Sequence, residues 1–298
     1  MDRKLETKRL LIFLGATFVI SWIPMIIMDC FGFRWDGERP ELEQLAALGM
    51  LAPALGHIFA RWATKEGYAV TGTDSMRLGI SFKDKKWKYF LFAMLIPWLY
   101  WEITHAIILM IFPEAFDANY MVSQGLDSRF PYLLPILAIV NGTVSSFAAF
   151  GEEFGWRGYM IPKMTKLWGL PKAILFGGII WGVWHAPLTV VGHNFGTDYV
   201  GFPYVGILMM CVMCIFMGMM LTYVTIKSGS IWPAAIMHAV NNANPSILGG
   251  FTNAEKLEKI VPHVAVNFGI LQLSIGIIGC ICMYIMLKDK RMENIEEE

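Results

Sequence analysis

Long apolar stretches separated by short polar segments run along the whole chain. Each stretch approaches the roughly 20 residues that a helix needs to cross the hydrocarbon layer of a membrane. This length favours helices, because buried strands rarely exceed about eight residues. The pattern predicts an all-α fold, a polytopic membrane helix bundle with about eight transmembrane helices. The predicted spans are residues 9–28, 44–63, 88–112, 130–152, 172–192, 203–226, 230–249 and 263–287.

The overall composition agrees with this class. Hydrophobic residues make up 56% of the chain and charged residues 16%, whereas soluble domains carry about 25% charged residues. The formal net charge is zero, so the charge balance gives no indication of a nucleic-acid partner. The expected partners are membrane lipid and a membrane-associated protein or peptide substrate, and the sequence does not indicate an oligomeric state.

The basic residues are distributed unevenly between the predicted loops. Most Lys and Arg residues fall in alternate segments, the richest of which is residues 61–88. By the positive-inside rule, this asymmetry predicts that the N- and C-termini are both cytoplasmic. The short loops, which contain no inserted domain, favour a bacterial plasma membrane.

The fourth predicted span ends in two adjacent glutamates, within SSFAAFGEEFGWRGYM at residues 145–160. A carboxylate at membrane depth is unfavourable unless it is paired or faces a wet cavity. Glu153 and Arg157 are four residues apart, so they share a helical face and can form an ion pair. Glu152 is rotated by about 100° from that face and is predicted to remain available. Alternatively, both acids are ordinary interfacial charges at a helix end.

Two further predicted spans carry isolated polar side chains. In the fifth span, His185 follows Trp181 by one helical turn. In the seventh, His238 and Asn242 are four residues apart and share a face. Each of these groups alone is compatible with a hydrogen bond between neighbouring helices. Together with Glu152 they are least unfavourable if they face one another around a hydrated cavity.

Small residues are spaced so that these spans can approach one another closely. The fourth span has Gly151 and Gly155, and the fifth has Gly178 and Gly182. Both pairs follow the small-xxx-small pattern, which favours tight contact between membrane helices.

These polar side chains are suited to hydrolysis by an activated water. Glu152, if it lies near His185, can take a proton from a water held between them. His238 and Asn242 can donate hydrogen bonds to the oxyanion that forms when this water attacks an amide carbonyl. A covalent nucleophile is not favoured, because no Ser, Thr or Cys is placed at helical spacing beside a histidine in these segments.

Polar residues in two other spans are interpreted as structural. Glu102 and His105 form an ExxH step, a half-motif of di-metal bundles. Because no second ExxH exists, the two residues are predicted to bond to each other. His57 is predicted to be a contact within the bundle.

The three polar segments together resemble the motifs of the CAAX prenyl protease 2-like intramembrane proteases. This family is also called CPBP or ABI, and it includes lysostaphin-resistance-protein-A-like members. The matching residues are Glu152, Glu153 and Arg157, then Trp181 and His185, then His238 and Asn242. The second motif usually has Phe where this chain has Trp181, so an aromatic ring is kept. The resemblance covers roughly residues 130–250.

The resemblance implies an eight-helix membrane fold with a peptidase site that opens to the cytoplasm. It implies that Glu152 and His185 activate water, that His238 and Asn242 serve the oxyanion, and that Glu153, Arg157 and Trp181 support them. It implies no obligatory cofactor, although Glu152, His185 and His238 offer ligands to zinc. It divides the chain into three N-terminal spans at 1–129, a protease core at 130–250, and a last span with a cytoplasmic tail at 251–298.

The sequence therefore predicts a glutamate-dependent intramembrane endopeptidase for membrane-associated or prenylated, CAAX-type substrates. The alternative is a non-catalytic membrane scaffold or bacteriocin-immunity-type protein of the same fold, although a scaffold does not need all four polar groups. A transporter with a midplane site is a third interpretation. It is disfavoured because no inverted repeat is visible and the polar residues cluster in one half of the chain.

Overall fold

A computed structural model of the protein describes residues 2–72, 74–261 and 263–289, with the side chains of 263–267 excepted. Within these ranges the regular structure is helical and no strand is formed. The predicted polar tail lies outside the described residues from residue 290 onward.

The α-helices follow one another with short connections. They are α1 (Arg3–Cys30), α2 (Pro40–Ala47), α3 (Ala52–Thr64), α4 (Trp87–Ile111), α5 (Tyr120–Ser123), α6 (Phe130–Val144), α7 (Ser146–Gly155), α8 (Ile161–Trp168), α9 (Leu170–Trp184), α10 (Ala186–Val190), α11 (Tyr204–Ser228), α12 (Trp232–Asn242), α13 (Ala254–Ile260) and α14 (His263–Lys288). Short 3₁₀ turns lie at Leu48–Leu51, Lys83–Lys85, Pro113–Ala115 and Leu248–Phe251. A π-helical turn, Trp156–Met160, joins α7 to α8.

Five helical segments in the described part of the chain are long and apolar enough to cross a membrane. They are Arg3–Cys30, Pro40–Thr64, Lys83–Ile111, Tyr204–Ser228 and Phe268–Lys288. The number rises to six if α6 and the helical run Ser146–Trp168 count as one span, bent by 58°. The predicted all-α membrane bundle is thus confirmed, whereas the count of about eight spans is not.

Two of the predicted spans form shorter helices than their apolar runs suggested. α9 has 15 residues and α12 has 11, whereas a straight crossing needs about 20. α9 ends before His185, and α10 then begins with Pro187 in its first turn, where a missing backbone N–H is tolerated. Pro233 occupies the same position in α12. The break places His185 at a junction between two helices instead of inside a continuous span.

The fourth predicted span is also interrupted, at the boundary between α6 and α7. The hydroxyl of Ser145 donates to the carbonyl of Asn141 at 2.6 Å, and that of Ser146 donates to the carbonyl of Thr143 at 2.9 Å. Such side-chain bonds compete with the helical backbone ladder and often bend it. The bend gives α7 its own direction, and α7 carries both glutamates of the first motif.

The glycines of both pairs make close contacts, but their partners are α3, the turn before it and α11, whereas the predicted partners were the other spans that carry the motifs. A methyl group added to Gly178 would lie 2.6 Å from the Cα of Ile215 in α11, and one added to Gly182 would overlap Cys211 in the same helix. A methyl group on Gly155 would overlap Pro53 in α3. These helices therefore touch through their backbones, which fixes α9 against α11 and α7 against α3. α12 completes the group by packing on α4, α6 and α7.

Candidate active site

A cavity of about 410 Å³ lies where α1, α7, α9, α11 and α12 meet. The four polar residues predicted to act together all line it: Glu152, His185, His238 and Asn242. Their predicted convergence is therefore confirmed by the structure. The rest of the wall is mainly apolar and includes Trp22, Trp35 and Met213. Apolar walls with a few convergent polar groups are typical of ligand-binding sites.

Glu152 is almost fully buried, with 2% of its surface exposed. Its Oε2 accepts a hydrogen bond from the indole nitrogen of Trp181 at 2.7 Å. Its Oε1 accepts no hydrogen bond from the described residues and is free to meet a molecule in the cavity. The carboxylate is thus held by one oxygen and available through the other.

Glu153 lies behind the cavity and carries the predicted ion pair. Its Oε1 is 3.1 Å from Nη1 of Arg157, with both side chains buried. The same oxygen accepts a hydrogen bond of 2.9 Å from Nδ1 of His238. The guanidinium of Arg157 also lies 4.1 Å from the ring centroid of Trp181. Arg157 therefore supports both Glu153 and the indole that holds Glu152.

The protons on the two imidazoles follow from what each ring contacts. Nδ1 of His185 is 2.8 Å from the backbone carbonyl of Trp181. A carbonyl can only accept, so Nδ1 carries the hydrogen and, in the neutral ring, Nε2 keeps its lone pair. Nδ1 of His238 faces a carboxylate, which likewise accepts. A carboxylate on Nδ1 stabilises positive charge on the ring when Nε2 also carries a proton.

Asn242 is oriented by a chain of hydrogen bonds that the sequence did not reveal. The hydroxyl of Tyr100 in α4 donates to Oδ1 of Asn241 at 2.6 Å. Nδ2 of Asn241 then donates to Oδ1 of Asn242 at 3.1 Å. The oxygen of Asn242 is thereby occupied, and its Nδ2 is left to donate. The Asn-Asn pair was visible in the sequence, but Tyr100 resembles any other aromatic residue in an apolar span.

His193, the residue after the predicted span 172–192, also lines the cavity. Its ring packs edge-on against Trp35, with the centroids 4.3 Å apart. Its buried Nδ1 has no hydrogen-bond partner among the described residues. It adds another imidazole to the wall of the cavity, beside those of His185 and His238.

The prediction that Glu102 and His105 of the ExxH step bond to each other is wrong. Glu102 does not bond to His105; its carboxylate accepts from the hydroxyl of Ser246 at 3.0 Å and from the backbone N–H of Ile247 at 2.8 Å. His105 instead meets the carbonyl of Trp101 at 3.0 Å. The segment after α12 turns back over α4, and that turn brings backbone donors to Glu102. Glu102 thus fixes the chain that follows the third motif.

His57 is a contact within the bundle, as predicted. Its ring is buried, with Nδ1 2.8 Å from the carbonyl of Phe154, and its Nε2 accepts from Arg61 at 2.7 Å.

The residues proposed for zinc do not form a ready metal site. In the part of the chain that the structure describes, no three His, Cys, Asp or Glu side chains are grouped so that they could hold a metal ion. The set of Glu152, His185 and His238 therefore does not fit a three-ligand centre, and the chemistry derived below uses these side chains alone. That no cofactor is obligatory stays a prediction.

Comparison with known proteins agrees with this arrangement. Residues 132–244 match the family model described as type II CAAX prenyl endopeptidase Rce1-like. All three motifs lie inside the matched segment. The resemblance predicted from the motifs is thus confirmed over these residues.

A curated relative points to the same class. CAAX prenyl protease 2 of Methanococcus maripaludis is 28% identical over 146 residues, which cover 49% of this chain and 48% of the relative. The chain thus spans about half the length of the curated relative that it matches. The matched family segment falls inside residues 130–250, but the three-part division of the chain stays a prediction.

Proposed function

We propose that the protein is a glutamate-dependent intramembrane endopeptidase. The observation that carries this proposal is that Glu152, His185, His238 and Asn242 line one apolar cavity, with Glu152 held through a single oxygen. The similarity to Rce1-like CAAX prenyl endopeptidases supports a membrane endopeptidase in general.

The attacking water lies between Glu152 and His185. One water proton passes to Oε1 of Glu152, while Nε2 of His185 accepts a hydrogen bond from the other. The water oxygen then bonds to the carbonyl carbon of the substrate. The hydrogen bond from Trp181 to Oε2 fixes the orientation of the Glu152 carboxylate, so that Oε1 faces the water.

The oxyanion that forms is stabilised from α12. Nε2–H of His238 and Nδ2–H of Asn242 donate to it, and Glu153 balances the positive charge on the His238 ring. When the C–N bond breaks, Glu152 returns its proton to the departing amine. The products are a free amine and a carboxylic acid, which still carries the second water proton and loses it to solvent to become the carboxylate.

The apolar lining of the cavity suggests the class of substrate. Its apolar walls suit a peptide carrying hydrophobic side chains or a lipid group near the cleaved bond. The relative from Methanococcus maripaludis bears the name CAAX prenyl protease 2. We propose membrane-associated peptides, including prenylated CAAX-type ones, as the substrate class.

The test compares membrane proteomes from cells that express the wild type or Glu152→Gln, with sequencing of new protein termini. Gln keeps an acceptor for Trp181 but cannot take the water proton. We expect cleavage products with the wild type and at least about a 100-fold loss with Glu152→Gln, and the same with His185→Ala, since general base catalysis contributes about 10² to 10⁴. A synthetic peptide spanning a cleaved site, with and without a prenyl group, then measures the rate in proteoliposomes.

Glu114→Gln is the matched control. Glu114 is exposed and far from the cavity wall, so this variant should cleave like the wild type. Unchanged cleavage by both Glu152→Gln and His185→Ala would remove the proposed catalytic pair. Restoration of a cellular phenotype by Glu152→Gln without cleavage would favour the scaffold alternative.

A further inference from the structure

A second cavity, of about 360 Å³, lies on the far side of Arg157 from the catalytic cavity. It is enclosed by the chain after α3, the π-helical turn with α8, and the end of α11. We call it the basic pocket because its lining includes five cations: Arg61, Arg77, Arg157, Lys163 and Lys166. Asp74 is the acidic residue among the described residues that line it.

Three of these cations are already paired with carboxylates. Lys163 contacts Glu66 and also lies 2.9 Å from an oxygen of Glu6. Lys166 pairs with Asp74 at 2.9 Å. Arg157 pairs with Glu153, as described above. Their charges are therefore balanced within the protein.

The other two cations have no carboxylate of their own. Arg61 is 1% exposed, and its guanidinium donates to the carbonyls of Gly67 at 2.8 Å and Asp74 at 2.6 Å. Carbonyls satisfy its hydrogens without neutralising its charge. Arg77 makes no side-chain hydrogen bond or ion pair with the described residues, and the nearby carboxylate of Asp74 is engaged by Lys166. Two positive charges in a partly enclosed site are unfavourable unless an anion joins them.

Two further donors at the wall are also unused. Oγ1 of Thr222, a neutral hydroxyl, and Nε of Arg157, part of the guanidinium that pairs with Glu153, are fully buried and have no hydrogen-bond partner among the described residues. Both residues line the basic pocket and are at most 3% exposed. Buried polar groups are nearly always paired, so unpaired donors beside uncompensated cations point to a missing acceptor.

The pKa shifts of Arg77 and Asp74 agree with a deficit of negative charge in the basic pocket. Burial lowers the pKa of Arg77 below its ordinary value, and nearby Asp74 offsets only part of this effect. Burial would raise the pKa of Asp74, but the hydrogen bond from Lys166 and the charge of Lys163 hold it below its usual range. Asp74 is therefore ionised, and its charge is already used by the two lysines.

We propose that the basic pocket binds a phosphate-class oxyanion, supplied either by a lipid headgroup or by free phosphate. A tetrahedral oxyanion presents several acceptors at once, and guanidinium groups bind such groups with charge-assisted, often bidentate hydrogen bonds. Arg77 and Arg61 supply the charge, and Thr222 supplies a buried donor. The volume falls within the roughly 300–1,000 Å³ of typical ligand sites. The proposal does not depend on the peptidase activity.

The test uses the full chain purified in detergent and then in nanodiscs. The first arm titrates inorganic phosphate by calorimetry. The second arm measures, by native mass spectrometry, retention of phosphatidic acid against diacylglycerol, which is the same lipid without its phosphate. Binding in the first arm alone assigns a free anion, and retention of phosphatidic acid alone assigns a lipid headgroup. Absence of binding in both arms overturns the proposal.

Variants of the lining show whether the basic pocket is the binding site. Arg77→Gln should weaken binding about tenfold or more, because it removes a charged donor that the fold does not use. Thr222→Val should weaken binding severalfold while thermal stability stays equal or rises, since the hydroxyl has no partner in the protein. A purely structural Thr222 would show no effect on binding.

Lys83→Gln is the control for general electrostatic attraction. Lys83 is exposed in the same connection between α3 and α4 and does not line the basic pocket. Lys83→Gln removes one positive charge, as Arg77→Gln does, but it removes it outside the basic pocket. The Lys83→Gln variant should therefore bind the anion as tightly as the wild type. Equal losses in Lys83→Gln and Arg77→Gln would mean that the anion is attracted by the surface as a whole, and the basic pocket would not be its site.

Discussion

Glu153 connects the charged residues behind the cavity that Glu152 and His185 line. One of its oxygens accepts from both Arg157 and His238, while the other is buried without a partner among the described residues. The acid thus has two roles, which are to balance a buried guanidinium and to stabilise charge on an imidazole. These roles can be separated by substitution, because only the second has a part in the proposed reaction.

Glu153→Gln should lower both stability and turnover. The amide can still accept hydrogen bonds, but Arg157 keeps its buried charge without a counterion, a change that typically costs about 3–5 kcal/mol. The double variant Glu153→Gln, Arg157→Met removes both charges and should recover much of the stability. Its kcat should remain low, because His238 still lacks a carboxylate. Thermal unfolding and kcat of both variants test this, and full activity of the double variant would contradict the role of Glu153.

Tyr100→Phe should reduce turnover without unfolding the protein. The Tyr100 hydroxyl fixes Asn241, which in turn orients Asn242. Loss of one neutral buried hydrogen bond is worth about 1 kcal/mol, so we expect kcat to fall about fivefold with KM little changed. Tyr132→Phe is the matched control, since Tyr132 is 60% exposed and should lose nothing. Equal rates for the two variants would remove Tyr100 from the positioning of Asn242.

The contrast between these residues indicates what a sequence can reveal about a site. Glu153 and Arg157 were predicted to pair because helical spacing alone sets their shared face. Tyr100 was not predicted, because its partner Asn241 lies 141 residues away along the chain. The free Oε1 of Glu152 was foreseen only as an unpaired acid, since the bond from Trp181 depends on how α7 and α9 pack. Local geometry follows from spacing, and partners on separate helices follow only from packing.

At the scale of helices, the glycine pairs set how closely the elements bearing the site approach. Gly178 lets α9 rest against the backbone of Ile215, and no side chain there can move aside to make room. The position of His185 at the end of α9 depends on this contact. That Gly178 makes a close helix contact was predictable, because the small-xxx-small pattern is a local signal, but its partner α11 was not.

Gly178→Ala should destabilise the protein by about 1–3 kcal/mol, the usual range for overpacking a tight interior. Gly15→Ala in α1 is the matched control, since an added methyl group there meets nothing within 4 Å. Ala is favoured over Gly inside a helix by about 1 kcal/mol, so the control should be neutral or slightly stabilising. Thermal unfolding in one detergent compares them. Similar melting temperatures for the two variants would show that α9 and α11 can separate without loss.

The count of about eight spans is not confirmed, for a reason that also belongs to the helices. Hydropathy counts apolar residues and takes no account of where a helix ends. The run at 172–192 stays apolar beyond Trp184, yet α9 stops there and α10 begins anew before Pro187. The run at 230–249 likewise becomes irregular after Asn242. Breaks of this kind put His185 and Asn242 at helix ends, where they reach the cavity.

At the scale of the whole molecule, the two ends of the helix bundle differ in charge. The basic pocket lies where α3 and α11 end, beside the basic connection that leads into α4. The opposite end carries Asp117 and Asp127, which follow α4. By the positive-inside rule, we predict that the first end lies in the cytoplasm. The basic pocket would then meet cytoplasmic phosphate or the headgroups of the inner leaflet.

The orientation can be tested with single cysteines at the two ends, in a background where the five native cysteines are replaced by Ser. Lys86→Cys marks the basic end and Asp127→Cys marks the other. An impermeant maleimide added to intact cells should label Asp127→Cys and leave Lys86→Cys unlabelled until the membrane is opened. The physical reason is that translocating the many Lys and Arg residues of the 61–88 segment is unfavourable, whereas the loop containing Asp127 carries few basic residues. The reverse pattern would place the basic pocket outside the cell, and an inner-leaflet headgroup could then no longer be its ligand.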